Sequence, residues 1–257
     1  MSLRRANTGD TLQVHPHCLM FFTDETGHEE FADPNFPIFG MGGCALLAAA
    51  IDPVLRQPWR EMKAHHFGGA DVPLHASDLR SPTAQQVAAL GEFFEKQPFG
   101  RFAVTMTRNT QLPEGFTPIQ VMPGLLRRRW EALTPRFNPF PVEVAFIHEA
   151  SDRADELLER YFGQSVVTID GKRVPTHHGI MPKGDEALEV ADFVIQAAGG
   201  QARHAIQPGC PVRRDFEVIF RANPLWSSFF GLGAGVKANR MTRASICGQV
   251  VSDLRVS

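Results

Sequence analysis

The sequence predicts a three-layer α/β domain, a mixed sheet flanked by helices, and three observations lead to it. Apolar runs of strand length interleave with stretches of helical period, in the order strand, strand, helix, helix, strand, helix, strand, helix, strand, helix. The first run, residues 18–23 (CLMFFT), is apolar at nearly every position, as a strand covered on both faces must be. A chain of 257 residues, 43% hydrophobic and 21% charged, can bury one substantial core. One domain is therefore expected, with its core over residues 18–203 and a C-terminal extension over 204–257.

Residues 1–17 read as a polar, loose leader. After the first strand come Asp24-Glu25-Thr26-Gly27, a loop carrying Pro34 and Pro37, and a glycine-rich second strand at 39–47 that returns beside the first. Asp52-Pro53 opens a helix to about residue 63, because a capping acid followed by proline suits a first helical turn. Residues 65–78 are loop. Ser81-Pro82 starts another helix, on which Val87, Leu90 and Phe94 share one face. Residues 101–107 alternate as a strand, 123–133 form a helix, and 141–147 form a strand running into His148-Glu149. Ser151-Asp152 caps a helix whose Ala154, Leu157, Leu158 and Tyr161 lie on one side. Residues 165–181 supply one more strand and 185–203 the last clear helix; beyond it periodicity is weak.

Charge and cysteine usage exclude several classes. The 26 basic and 28 acidic side chains leave a net charge of −2, so no global basic field drives nucleic-acid binding, and any such contact is expected through a local patch. Cys18, Cys44, Cys210 and Cys247 lie far apart with no C-x-x-C pair, against a zinc ribbon or disulfide scaffold and in favour of a reducing, cytoplasmic setting. No apolar run approaches the roughly 20 residues that a bilayer requires, so no membrane contact is expected.

Carboxylates at strand ends can meet at the edge of an α/β sheet, which directs attention to the acids. Successive strand residues face opposite sides, so of Asp24 and Glu25 only Asp24 shares the side of Met20 and Phe22. The competing structural role is a turn that merely closes the strand. Glu149 ends another strand, and alternation leaves open whether it or His148 faces the first acid; its bland role is a favourable charge before the next helix. On the last helix Asp185, Glu189, Asp192, Gln196 and Arg203 form one polar stripe. A solvated helix face competes there with a site in which Glu189 and Asp192 reach a common ion.

The remaining candidates have ordinary readings. His75 precedes a helix and suits a loop, and the pairs His65-His66 and His177-His178 lack the spacing of a helical zinc site, which makes them surface or loop residues. Residues 231–237 (GLGAGVK) lack the phosphate-loop spacing and read as a turn. Arg127-Arg128-Arg129-Trp130 reads as a solvated helix with one buried tryptophan.

Three segments together resemble a known pattern: 21–27 (FFTDETG), 74–79 (LHASDL) and 188–193 (LEVADF). They are similar to the domain of unknown function 3800 family, marked by an Asp-Glu pair closing the first strand, an H-a-x-d-L segment and a late Q-x-x-D. The resemblance covers residues 19 to about 203. It implies a ribonuclease H-like fold with the first strand at the sheet centre, antiparallel neighbours on one side and strand-helix units on the other. Asp24 and Glu25 match the pair, His75 and Asp78 the middle motif, and Asp192 the late aspartate. Glu189 stands where glutamine is usual, and Glu149 matches the strand-end acid of ribonuclease H-like enzymes only by proximity.

The function so implied is divalent-metal-dependent hydrolysis of phosphodiesters, a nuclease activity. Asp24, Glu149 and Asp192, with Glu25 or Glu189, would form an all-oxygen site suited to Mg²⁺ or Mn²⁺, whose charge offsets repulsion among the acids. Two ions about 4 Å apart would activate a water and stabilise the leaving oxygen. His75 would position a water or assist proton transfer. The alternative is a non-catalytic nucleic-acid-binding or partner-binding module that keeps the fold, favoured by the net charge and by Glu189. A metal-independent hydrolase using paired carboxylates has no motif of its own.

Overall fold

The structure is a computed structural model and describes the chain except residues 1, 6–8, 80, 113, 150–154, 163–165, 170, 182–183, 212–213, 222–223 and 234–257. Its strands are β1 (Ser2–Arg5), β2 (Thr11–Gln13), β3 (Cys18–Gly27), β4 (Ile38–Leu47), β5 (Gly100–Thr107), β6 (Glu143–Glu149), β7 (Val166–Ile169), β8 (Lys172–Met181) and β9 (Ser227–Leu232). The main helices are α1 (Gln57–His66), α2 (Ala84–Lys96), α3 (Pro118–Leu133), α4 (Asp155–Phe162) and α5 (Glu186–Ile206).

The sheet runs in the order β2-β1-β8-β6-β3-β4-β5-β9, with β7 hairpinned onto β8. β3 lies inside it, antiparallel to β4 and parallel to β6. β4 and β5 continue the antiparallel side, and β6 pairs in parallel with β8. Helices cover both faces, giving the three α/β layers expected. α5 lies on β3, β4 and β5, with α1 and α2 packed outside it; α3 covers β4, β5 and β9 on the other face, and α4 covers β8.

Strand alternation divides the core in two. Cys18, Met20 and Phe22 join Ala145, Ile147 and the α5 side chains, whereas Leu19, Phe21, Val144 and Phe146 pack with α3. α5 is buried along most of its length, including Leu188, Val190, Phe193, Val194 and Ile195. Each such side chain stabilises the fold by roughly 1.5–3 kcal/mol. Close approach of α5 requires glycine on β4: a Cβ at Gly43 would lie 2.8 Å from the Ala191 Cβ and 1.9 Å from the Phe22 carbonyl oxygen. The Asp185 side chain starts α5 by accepting the Ala187 N–H at 2.9 Å, a cap worth about 1 kcal/mol.

Several local expectations are corrected. The leader is not simply loose, because β1 and β2 pair with each other and β1 joins the edge of β8. The segment after residue 203 likewise supplies β9, parallel to β5, and residues 166–181 form two strands rather than one. Thr83, not Ser81, caps α2, through a reciprocal pairing with Gln86. The buried face of α2 carries Ala89, Phe93 and Phe94, while Val87 is exposed. Residues 127–129 are part-buried rather than solvated, with the Arg129 guanidinium over the Phe230 ring. His177 and His178 belong to β8; His178 is buried and joins Glu159 to His148. Ser151, Asp152 and residues 234–237 of the glycine-rich segment lie outside the described residues.

Candidate functional site

Asp24 reaches the α5 side of the sheet because it continues the series Met20, Phe22 along β3. There it meets Asp192, which α5 presents one position beyond the sheet-packed Ala191. The two acids are far apart in sequence, yet they share one electrostatic neighbourhood. Burial first and the Asp192 charge second push the Asp24 carboxyl from an ordinary 3.8 up to about 7. Asp192 is also raised, mainly by burial, against the lowering effects of the Ala76 N–H and His75. Among the described residues no lysine or arginine pairs with either acid.

β6 resolves the choice at its end. Ala145 and Ile147 face α5, so Glu149 follows them, and its charge raises both Asp24 and Asp192. His148 turns to the opposite face, where its Nδ1 lies 3.0 Å from the His178 Nε2 and the two rings are nearly parallel.

The segment bearing His75 is strapped to α5 by main-chain donors. The Leu74 N–H donates to Glu189 Oε1 at 3.2 Å and the Ala76 N–H to Asp192 Oδ2 at 2.8 Å. Carboxylates one helical turn apart thereby hold alternate amides of an extended stretch. His75, between them, keeps its side chain 47% exposed with Nδ1 3.7 Å from Asp192 Oδ2, at the mouth of the site. Asp78 adds a further negative charge that raises Asp192.

Two sequence candidates stand differently. Glu25 alternates to the other face of β3; its N–H donates to Asp24 Oδ1 at 2.8 Å, and its charge adds to those that raise Asp24. Glu189 is 3% exposed and committed elsewhere, accepting from Lys63 Nζ at 2.8 Å and from the Trp59 indole at 2.6 Å. It is a structural anchor. Sequence reasoning passed over Lys63 and Trp59; at i and i+4 on α1 they point one way, but that spacing does not reveal which acid they meet.

The donors fit a hard divalent cation in type, being carboxylates on rigid elements, and among the described residues Asp24 and Asp192 have no lysine or arginine to neutralise them. Among the described residues, however, no three His, Cys, Asp or Glu side chains stand close enough together to share an ion. Among the described residues, too, no helix is long and apolar enough to cross a membrane. Comparison with known families, with curated proteins and with solved structures returns no significant match.

Proposed function

We propose that the protein is a divalent-metal-dependent nuclease of the ribonuclease H-like kind, akin to the domain of unknown function 3800 family. The observation that carries this reading is the meeting of Asp24 and Asp192 on one face with no lysine or arginine partner among the described residues. Proteins do not ordinarily hold two such acids together without a reason, because burial and mutual repulsion both oppose their ionisation. Mg²⁺ is commonly held by one or two carboxylates, with waters and substrate phosphate completing its shell, so this pair meets its needs. Asp24 and Asp192 would hold the ion, with Glu149 adding negative potential. When bound, the metal supplies Lewis-acid activation of water and offsets charge on the leaving oxygen.

The chain's own residues have separate tasks in this reading. The Ala76 N–H fixes the orientation of Asp192, and the Glu25 N–H does the same for Asp24. His75, exposed beside Asp192, exchanges a proton with the reacting water or the leaving oxygen. Nucleic acid would be engaged locally at this mouth, since the net charge of −2 supplies no general attraction.

The test is cleavage of labelled DNA and RNA, single- and double-stranded, with Mg²⁺ or Mn²⁺. Wild-type protein should cleave at least one substrate, and Asp24→Asn and Asp192→Asn should each lose about 10²-fold or more. The capture of Glu189 by Lys63 and the absence of a three-acid group among the described residues favour a second reading, a binding module without chemistry. Nucleic-acid binding with neither cleavage nor stabilisation by divalent ions would establish that reading instead.

A further inference from the structure

The polar stripe of α5 continues past Asp192. At 3.6 residues per turn, Arg203 falls about three turns further on, about 16 Å along the axis and within about 20° of the direction of Asp192. β3 runs beside that stretch. A Cβ at Gly199 would lie 2.8 Å from the Thr26 Cγ2 and 3.2 Å from the Phe36 ring, and Thr26 shares the side of β3 that carries Asp24. Arg203 is the only lysine or arginine on α5 and is part-exposed. Its guanidinium is held in place: Nε donates to Gln207 Oε1 at 3.1 Å, and Cζ lies 6.0 Å from the centre of the Phe36 ring. Gln207 is itself tied down, donating from Nε2 to the Pro34 carbonyl at 3.0 Å. Among the described residues no carboxylate pairs with Arg203, although Glu29, Glu30 and Asp33 belong to the same loop as Phe36.

We propose that Arg203 holds a second phosphate of the strand whose scissile phosphate lies at Asp24 and Asp192. The proposal rests on the nuclease reading and adds the substrate class: a polynucleotide long enough to reach from the acids to Arg203. A stacked strand rises about 3.4 Å per nucleotide, so the separation along α5 corresponds to about five nucleotides. A guanidinium whose Nε is already bonded presents its two Nη groups side by side, a fork that matches two oxygens of a phosphate. Such a contact touches no base and is indifferent to sequence. The way along the helix is clear of opposing charge, because α5 carries no acid after Asp192 and only the part-exposed Gln196 stands between the two on the stripe. The other role for a cation in the last turn of a helix is to offset the helix dipole. That role requires charge alone, whereas here Gln207 and Phe36 also fix the orientation of the fork.

Substrate length separates the two roles. Arg203→Gln removes the charge and keeps a good helix former, so the melting temperature should stay within roughly 3 °C of wild type. Cleavage is followed in Mg²⁺ on labelled single strands of about twelve nucleotides, DNA and RNA, and on the matching dinucleotides, which cannot reach Arg203 from the acids. Affinity for the long strand is read by fluorescence anisotropy over a range of salt, with and without Arg203→Gln, in the slow-cleaving Asp24→Asn background. Arg203→Gln should lower kcat/KM on the long strand about tenfold, through KM, and leave the dinucleotide unchanged. The slope of log affinity against log salt should fall by about 0.7, the value of one phosphate contact on a single strand. Equal losses on both lengths, or a salt slope that does not change, overturn the proposal. Long-strand cleavage indifferent to Arg203→Gln rejects the contact and leaves the nuclease reading standing. A slope that falls while wild type cleaves nothing in any metal rejects the nuclease reading and leaves Arg203 as a phosphate contact of a binding module. No binding of either long strand overturns the proposal outright.

Discussion

Glu189 and Asp192, one turn apart on α5, hold alternate amides of the same extended segment, Glu189 taking the Leu74 N–H and Asp192 the Ala76 N–H. Their similarity ends there. Glu189 is neutralised by Lys63 and bonded by Trp59, whereas Asp192 faces Asp24 and, among the described residues, has exposed His75 beside it as its potential cation. Neighbouring acids of one helix therefore serve different purposes, one anchoring α1 and one contributing to the site.

If Glu189 is an anchor, breaking its pair should cost stability and leave the metal requirement of cleavage alone. Lys63→Met strands a buried carboxylate and should lower unfolding stability by about 3–5 kcal/mol. Adding Glu189→Leu to it should recover a large part of that loss, because neither charge then remains buried. Urea unfolding measures both effects. A Glu189→Gln variant whose residual cleavage needed a different metal concentration would return Glu189 to the ion.

Asp24 makes stability depend on pH in a definite direction. In the unfolded chain it ionises near 3.8, but the fold holds its proton up to about 7. Between those values the unfolded state releases the proton first and gains. The stabilisation that Asp24 contributes below pH 3.8 is thus lost progressively as the pH rises to about 7. Asp24→Asn removes this loss, so the metal-free variant should exceed wild type by on the order of 2 kcal/mol at pH 8, with the difference fading in acid. Denaturant midpoints at several pH values read it. A variant less stable than wild type at pH 8 would make Asp24 a structural turn residue.

The same repulsion predicts a response to cations. Mg²⁺ or Mn²⁺ at about 100 times its dissociation constant should raise folded-state stability by about 2.7 kcal/mol, a rise in melting temperature of roughly 5 °C or more. Asp24→Asn and Asp192→Asn should each lose most of that response. Thermal melts with the ion and with a chelator provide the comparison.

His75 is half-exposed and makes its closest described charged contact with Asp192. His75→Gln should leave stability within about 0.5 kcal/mol of wild type. Cleavage should nevertheless fall by about 10²-fold if the imidazole moves a proton. Equal rates for the two proteins would limit His75 to the surface role its position before a helix first suggested.

Much of the layered architecture was legible in the sequence because it depends on local period. The both-sided apolarity of residues 18–23 marked an interior strand, and alternation alone separated Asp24 from Glu25. The outer strands β1, β2 and β9 were not legible: they are short, and a short strand at the margin of a sheet draws its order from the backbone of a neighbour rather than from its own pattern. Nor could alternation choose between His148 and Glu149 until the register of β6 against β3 was known. The polar stripe on α5 shows the limit most plainly. Period identifies which residues share a helix face, but what covers that face is a long-range matter, here residues 74–76 and α1, more than a hundred positions away in sequence. That cover decided between a solvated face and a shared ion site, leaving one buried ion pair and one buried acid, because a charge withdrawn from water must find a partner or hold its proton.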